Sequence, residues 1–468
     1  MHLEGFYLLP HPPIALSEIG KGEEEKISST RESMYAVGKE IMQKAPKTII
    51  LITPHGAMFD DAIALSDEKE IYGDFKVFNA PFVSMKLSIN QELTSKIHEL
   101  ASEENIPAVL LTQELLSDYN ETFSLDHGAM VPLYFINHFY KDYQLVHITY
   151  APIDDISLYR FGMVIQRAVE ELKEKAVIIA SGDLSHKLKE EGPYKYSPLG
   201  PKFDKEFLDL LSKGDATGVL SIDKGTIAGA GECGRRSVLI LLGTLEGKKF
   251  KGELASYEGT FGVGYGVMKF DTQSDGDSIL NKLTELKKTK YEQKKQQKNP
   301  YVRLARESLT YYLETRRMLD EIPSYVTEEM RSDKRGVFVS LKRHGDLRGC
   351  IGTIFPYTDC IAKEIIRNAV EAGIYDPRFR EVEEEELYDI DFSVDVLTEP
   401  IACHEEDLDP KQYGVIVKSK GRTGLLLPNL EGIDTVQEQL SIALKKAGIE
   451  PKEAYDIQRF SVMRHKEE

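Results

Sequence analysis

Short, nearly unbroken apolar runs punctuate the first half of the chain. KTIILIT (47–53), YQLVHITYAP (143–152) and KAVIIASGDLS (175–185) are rich in β-branched residues and have the length of strands. A run that is apolar at successive positions, not at every second one, predicts a strand covered on both faces. Amphipathic stretches lie between them, over 31–44, 90–103 and 157–174. In the last, Leu158, Phe161, Val164, Ile165, Ala168 and Leu172 share one stripe of a helix. KGELASYEGTFGVGYGVMKF (251–270) predicts a glycine-punctuated closing hairpin. Strands alternating with helices predict an α/β domain over 1–270, a central sheet flanked by helices.

The pattern then breaks. Residues 271–299 are polar, with a Lys/Gln tract, and predict a partly helical linker acting as a solvated spacer. From 300 onward YVRLARESLTYYLETRRML predicts a helix, and 336–343, 389–399 and 413–428 predict strands. Ile390, Phe392, Val394 and Val396 alternate with Asp389, Asp391, Ser393 and Asp395. That period of two gives one buried and one wet face, so the acidic row reads as solvated sheet surface, not as a metal site. The second domain, 300–468, is expected to be α+β. No internal repeat is visible.

Composition narrows the function. A chain of 468 residues suits two or three domains. A net charge of −18 argues against nucleic acid and against an anionic membrane surface as partners. No apolar run approaches the ~20 residues of a membrane-spanning helix. The N-terminus lacks the basic region and small-residue cleavage site of a signal peptide. Cys233, Cys350, Cys360 and Cys403 are widely spread without a CxxC, which suggests reduced thiols and a cytoplasmic location.

Four histidines share a setting. His11 (LPHPP), His55 (TPHGAMF), His127 (SLDHGAMVPL) and His186 (SGDLSHKL) each fall at or just after an expected strand end, beside Pro, Gly, Asp or Ser. In open α/β sheets, loops beyond the strand ends converge on the ligand crevice. A fifth motif, GAGECGRRS, sets Glu232 and Cys233 among glycines ahead of an apolar helix-like stretch. Two imidazoles and one carboxylate make a facial triad that leaves positions open on Fe(II), and His11, His55 and Glu232 could supply it. Alternatively Glu232 caps the helix that begins near Arg235. Asp183, in the same run as His186, could orient an imidazole or form a turn.

Taken in order, PHPP, PHGAMF, DHGAMVPL, GDLSH and GECG resemble the class III extradiol ring-cleavage dioxygenases and the Memo family that shares their fold. The resemblance implies a non-haem Fe(II) site at His11, His55 and Glu232, with His186 as the active-site acid/base and His127 lining the substrate pocket. It implies a small diol- or catechol-like substrate, or oxidative modification of a protein partner. In Memo-type relatives a cysteine takes the third ligand position, so Cys233 competes with Glu232, and a thiolate would also suit Zn(II) or Cu(I). Glu232 is the preferred ligand, because the dioxygenase-like histidines are all present.

The C-terminal half holds HGDLRGCIGTI (344–354). RHGD reads as a turn, and period two places Arg348, Cys350 and Gly352 on one strand face. Arg348 beside Cys350 could hold an anion or activate a thiolate, or the run is simply a buried glycine-rich strand with Cys350 as a small hydrophobe. LRGCIG, with GIYDPRF (373–379) and GLLLP (424–428), resembles the AMMECR domain. A Memo-like domain joined to an AMMECR domain resembles the AmmeMemoRadiSam system protein A family. That resemblance implies a separate radical-SAM protein as companion, since this chain has no CxxxCxxC, and it leaves open a non-catalytic metal- or peptide-binding role.

Overall fold

The computed structural model describes residues 2–467 apart from Asn120, His344, Gly345 and Glu431. The chain divides into two compact units, Met1–Leu283 and Thr284–Glu468.

The first unit contains β1 (Leu3–Leu9), β2 (Thr48–Thr53), β3 (Ile63–Ser66), β4 (Glu70–Phe75), β5 (Ala80–Ser88), β6 (Ala108–Leu111), β7 (Gln144–Thr149), β8 (Ala176–Ser181), β9 (Lys248–Glu258) and β10 (Tyr265–Asp275). Eight of these form one sheet in the order β6-β3-β7-β2-β8-β1-β10-β9, and β4 and β5 form a two-stranded sheet. The central strands β7, β2, β8 and β1 run parallel. All six residues of β2 and all six of β8 are buried, as continuous apolar runs require. Ile50, Ile52, Ile178 and Ala180 face one core, closed by helices Asp155–Leu172 and Arg235–Gly243. Ile49, Leu51, Val177 and Ile179 face the other, closed by helices Ser28–Lys44 and His127–Asn137. The result is the expected α/β layering of helix, sheet and helix.

The polar stretch after residue 270 is largely structured. β10 runs on to Asp275, and a helix spans Ile279–Lys295. Tyr291 of that helix is buried in the core of the second unit, so an apolar anchor within the Lys/Gln tract gives the helix a packed face.

The second unit contains β11 (Val337–Arg343), β12 (Asp346–Gly352), β13 (Ile390–Leu397), β14 (Ile401–Ala402), β15 (Gly414–Ser419), β16 (Arg422–Leu426), β17 (Asp456–Phe460) and β18 (Val462–Lys466). They form two small antiparallel sheets, β12-β11-β13-β18 and β14-β17-β15-β16. Helices Pro300–Thr315 and Ile361–Ile374 cover the first sheet, and Val436–Ala447 covers the second. This is the expected α+β arrangement. The acidic row of β13 is paired with cations: Asp391 lies 2.5 Å from Lys294, and Asp395 meets Arg464 through two bonds of 2.8 Å. Among the described residues, no helix is long and apolar enough to cross a membrane.

Candidate metal centre

The register of the parallel strands sets the site. Leu9 is level with Ser181, Ile52 with Ala180, and Thr53 with Thr149, so β1, β8, β2 and β7 end in one row. His11 leaves β1, His55 leaves β2, and Asp183 and His186 follow β8, all beyond the carboxyl ends where such sheets bind ligands. Pro10, Pro12 and Pro13 fix the backbone on both sides of His11.

His11 is 2% exposed. Its backbone N–H donates to Asp183 Oδ1 at 2.9 Å, and its Nδ1 lies 2.9 Å from Ser181 Oγ. Its Nε2 faces His55 Nε2 at 3.0 Å and Cys233 Sγ at 3.6 Å. The three ligand atoms all lie within 4.8 Å of one another. Metal–nitrogen bonds of ~2.0 Å and a metal–sulfur bond of ~2.3 Å at tetrahedral angles would separate two nitrogens by about 3.3 Å and nitrogen from sulfur by about 3.5 Å. The residues therefore fit a single metal ion.

Cys233 reaches this position because two loops touch backbone to backbone. A side chain on Gly182 would meet Gly234 Cα at 2.0 Å. With glycine at both places, the Cys233 and Gly234 N–H groups donate to the Asp183 carbonyl at 3.3 and 3.0 Å. The Asp183 N–H in turn donates to Cys233 Sγ at 3.3 Å, and Tyr150 O–H donates to the Cys233 carbonyl at 3.0 Å. Burial, with Asp183 adding to it, pushes the Cys233 thiol well above its ordinary pKa. Metal binding there must release that proton.

Glu232, the preferred third ligand from the sequence, is placed elsewhere. Its Oε2 accepts the backbone N–H of Arg235 at 2.6 Å, at the first turn of helix Arg235–Gly243. The carboxylate serves an orphan amide of the helix start, and the thiol of the next residue takes the place beside the imidazoles. Arg235 is committed as well, meeting Asp155 through two bonds of 2.9 and 2.6 Å.

His127 and His186 complete the surroundings. The His127 ring stacks on His55 at 4.2 Å and lies edge-on to His11 at 5.5 Å. His186 is half-buried and stacks on Tyr194 at 5.7 Å. Burial lowers the pKa of all four histidines, and mutual repulsion lowers it further; His127 falls to about 4. At neutral pH the cluster is uncharged, with lone pairs free for a metal or a proton. Asp183 is pushed up to about 6 by burial, against the hydrogen bond from the His11 amide. It ties the His11 loop to β8 and sits 3.9 Å from His11 Nε2.

A buried polar chain supports these ligands. Thr53 Oγ1 donates to Asp126 Oδ1 at 2.6 Å and accepts the His55 N–H at 3.2 Å. Asp126 caps helix His127–Asn137 through the Ala129 N–H at 3.1 Å, and its Oδ2 meets His147 Nε2 at 3.0 Å. His147 Nδ1 lies 2.8 Å from Ser66 Oγ. Burial alone would raise the Asp126 pKa, but the bonds from His147 and Thr53 prevail and hold it far below the carboxylate range. Ser181 and His147 were missed in the sequence. Both lie inside strand runs, where period and composition mark only burial.

In the second unit, Arg348 and Cys350 do not work together. Ser340 pairs with Cys350, Leu341 with Gly349 and Lys342 with Leu347, so Arg348 is an extra residue in a β-bulge, which redirects its side chain. Its guanidinium meets Glu386 through bonds of 3.0 and 2.8 Å and the Arg380 carbonyl at 2.9 Å. Cys350 Sγ accepts from Ser340 Oγ at 3.1 Å instead. The GIYDPRF run meets the same strand, since Asp376 Oδ2 accepts the Cys350 N–H at 2.9 Å and Arg378 donates to the Cys350 carbonyl at 2.9 Å. His344 and Gly345 of the expected turn lie outside the described residues.

Comparison with known proteins divides the chain in the same way. Residues 5–268 match the family described as the catalytic LigB subunit of aromatic ring-opening dioxygenase, and residues 302–465 match the AMMECR1 family. Protein CA_C1420 of Clostridium acetobutylicum is 65% identical over 467 residues and covers 100% of both chains. A Thermotoga maritima protein is 46% identical over 171 residues, 36% of this chain and 98% of its own. Among solved structures, uncharacterized protein PH0010 from Pyrococcus horikoshii is 32% identical, covering 36% of this chain and 90% of that chain, with a TM-score of 0.33.

Proposed function

We propose, for a chain that belongs to the family of the catalytic LigB subunit of aromatic ring-opening dioxygenases and continues into an AMMECR1 domain, that the first unit is a metal-dependent oxygenase acting on a small substrate with two adjacent oxygens. The observation carrying this reading is the convergence of His11, His55 and Cys233 within 4.8 Å, beside two further uncharged histidines. His11 Nε2, His55 Nε2 and Cys233 Sγ would hold the ion. Bound Fe(II) would acidify a substrate hydroxyl and supply electrons to dioxygen; Zn(II) and Cu(I) are the alternatives that a thiolate suits. His186, neutral at physiological pH, accepts the proton from the second substrate hydroxyl on a ring nitrogen and later returns it. His127, held flat against His55, offers a hydrogen bond to the substrate's oxygens.

A second reading is favoured by one observation: a half-buried cysteine stands where a carboxylate was preferred. In it the site binds metal or peptide without turnover, and the AMMECR1 unit docks a protein partner, a separate radical-SAM protein being the proposed companion. Four unpaired cysteines support a cytoplasmic setting for either reading.

Oxygen uptake by Fe(II)-loaded protein with catechol-type diols distinguishes the two readings. Uptake with a ring-opened product, lost in His186→Ala while the iron stays bound, is the expected result. Stoichiometric iron without uptake would leave the binding role.

A further inference from the structure

We infer that Ser181, directed by Pro132, is a positioning residue that locks His11 in the tautomer with hydrogen on Nδ1, leaving Nε2 bare for the metal. This rests on the proposed metal centre and adds the device that readies one of its ligands.

The device starts in helix His127–Asn137. Pro132 lies inside it and has no N–H, so the intrahelical bond that would close on the carbonyl four residues earlier is missing. That carbonyl belongs to Gly128. It is taken instead by the Ser181 hydroxyl, which donates to it at 2.5 Å. A hydroxyl has one hydrogen. With that hydrogen committed to Gly128, Ser181 Oγ can only accept from His11 Nδ1, 2.9 Å away. A neutral imidazole with hydrogen on Nδ1 carries its lone pair on Nε2, the atom aimed at His55 and Cys233. Ser181 is fully buried, so water does not compete for either bond.

The same hydroxyl couples two sides of the site. Gly128 follows His127 directly, and a side chain there would meet Thr53 Oγ1 at 2.5 Å and His55 Cδ2 at 3.3 Å. Glycine thus lets the helix start press against the β2 end, where Ser181 reaches its carbonyl from β8. One bond chain therefore spans the helix bearing His127, the strand end of β8 and the ring of His11.

The test uses the full chain with Ser181→Ala, Pro132→Ala and the double variant. Two readouts are needed: Co(II) affinity, followed by thiolate-to-cobalt absorption, and the ¹⁵N spectrum of histidine-labelled, metal-free protein. The His11 signals are identified by their loss in His11→Gln. Wild type should show hydrogen on Nδ1 of His11. Ser181→Ala should show mixed tautomers and bind Co(II) about ten- to a hundred-fold more weakly, the usual scale for losing a partner behind a metal-bound histidine. Pro132→Ala should weaken binding less, and add nothing in the Ser181→Ala background. Hydrogen on Nε2 in wild type, or unchanged affinity and tautomer in Ser181→Ala, overturns the inference. An equal Pro132→Ala effect in both backgrounds removes Pro132 from it. Wild type that binds no Co(II) yet carries hydrogen on Nδ1 defeats the metal centre and leaves the lock standing.

Discussion

Asp204 illustrates how one residue sets the site from behind. Its Oδ1 accepts the Ser185 N–H at 2.8 Å and its Oδ2 accepts the Tyr257 O–H at 2.7 Å, fixing the loop that carries His186. Burial pushes the carboxyl up to about 6, against the pull of those two bonds. Its folded pKa thus exceeds its unfolded value, and between about pH 4 and 6 the folded chain binds more protons. The stability it contributes is fully present below about pH 4 and is lost as pH rises through 6. The stability of wild type minus that of Asp204→Asn should therefore fall by about 2 kcal/mol between pH 4 and pH 7. Denaturant unfolding at the two pH values checks this, and a constant difference would contradict it. Nothing in the sequence marks Asp204, which lies inside helix Leu199–Lys213. His11, His55 and His186 were legible because each follows an apolar strand run and sits beside a backbone breaker, whereas His127, expected at a strand end, opens a helix behind its cap Asp126. Glu232 was preferred over Cys233 from the motif, but which of two adjacent residues at a helix start faces the imidazoles depends on how the backbone turns them, and here it turns Cys233 toward His11 and Glu232 onto the Arg235 amide.

At the scale of elements, the sequence marked β2, β7 and β8 and their flanking helices to within a few residues, since their apolar patterns are long and uniform. The β4–β5 hairpin and the four-residue strands β3 and β6 escaped notice, because short or two-faced segments carry little periodicity. The bulge at Arg348 was hidden for another reason. A period-two reading assumes an unbroken ladder, and one extra residue moves every side chain before it to the other face. The bulge makes Arg348 structural and leaves Cys350 lightly held. Arg348→Ala should cost about 3 kcal/mol, because it strips a partner from the buried Glu386 carboxylate. Cys350→Ser should stay within about 1 kcal/mol. Unfolding of both variants, followed in the second unit, measures this; a reversed ranking would show that Cys350 carries the packing.

For the whole molecule, two units with separate cores place the candidate chemistry in the first. The candidate centre draws on residues from 11 to 233, so its side chains meet only once the parallel strands have assembled in register. Proximity of that kind is a property of the fold, and the motif order could point to it while favouring Glu232 over the Cys233 that lies beside the imidazoles. Metal analysis of anaerobically purified protein tests the centre most directly. We predict about one ion per chain in wild type and in Glu232→Ala, and its loss in His11→Ala, His55→Ala and Cys233→Ala with secondary structure intact. Metal retained by Cys233→Ala but lost from Glu232→Ala would contradict the account.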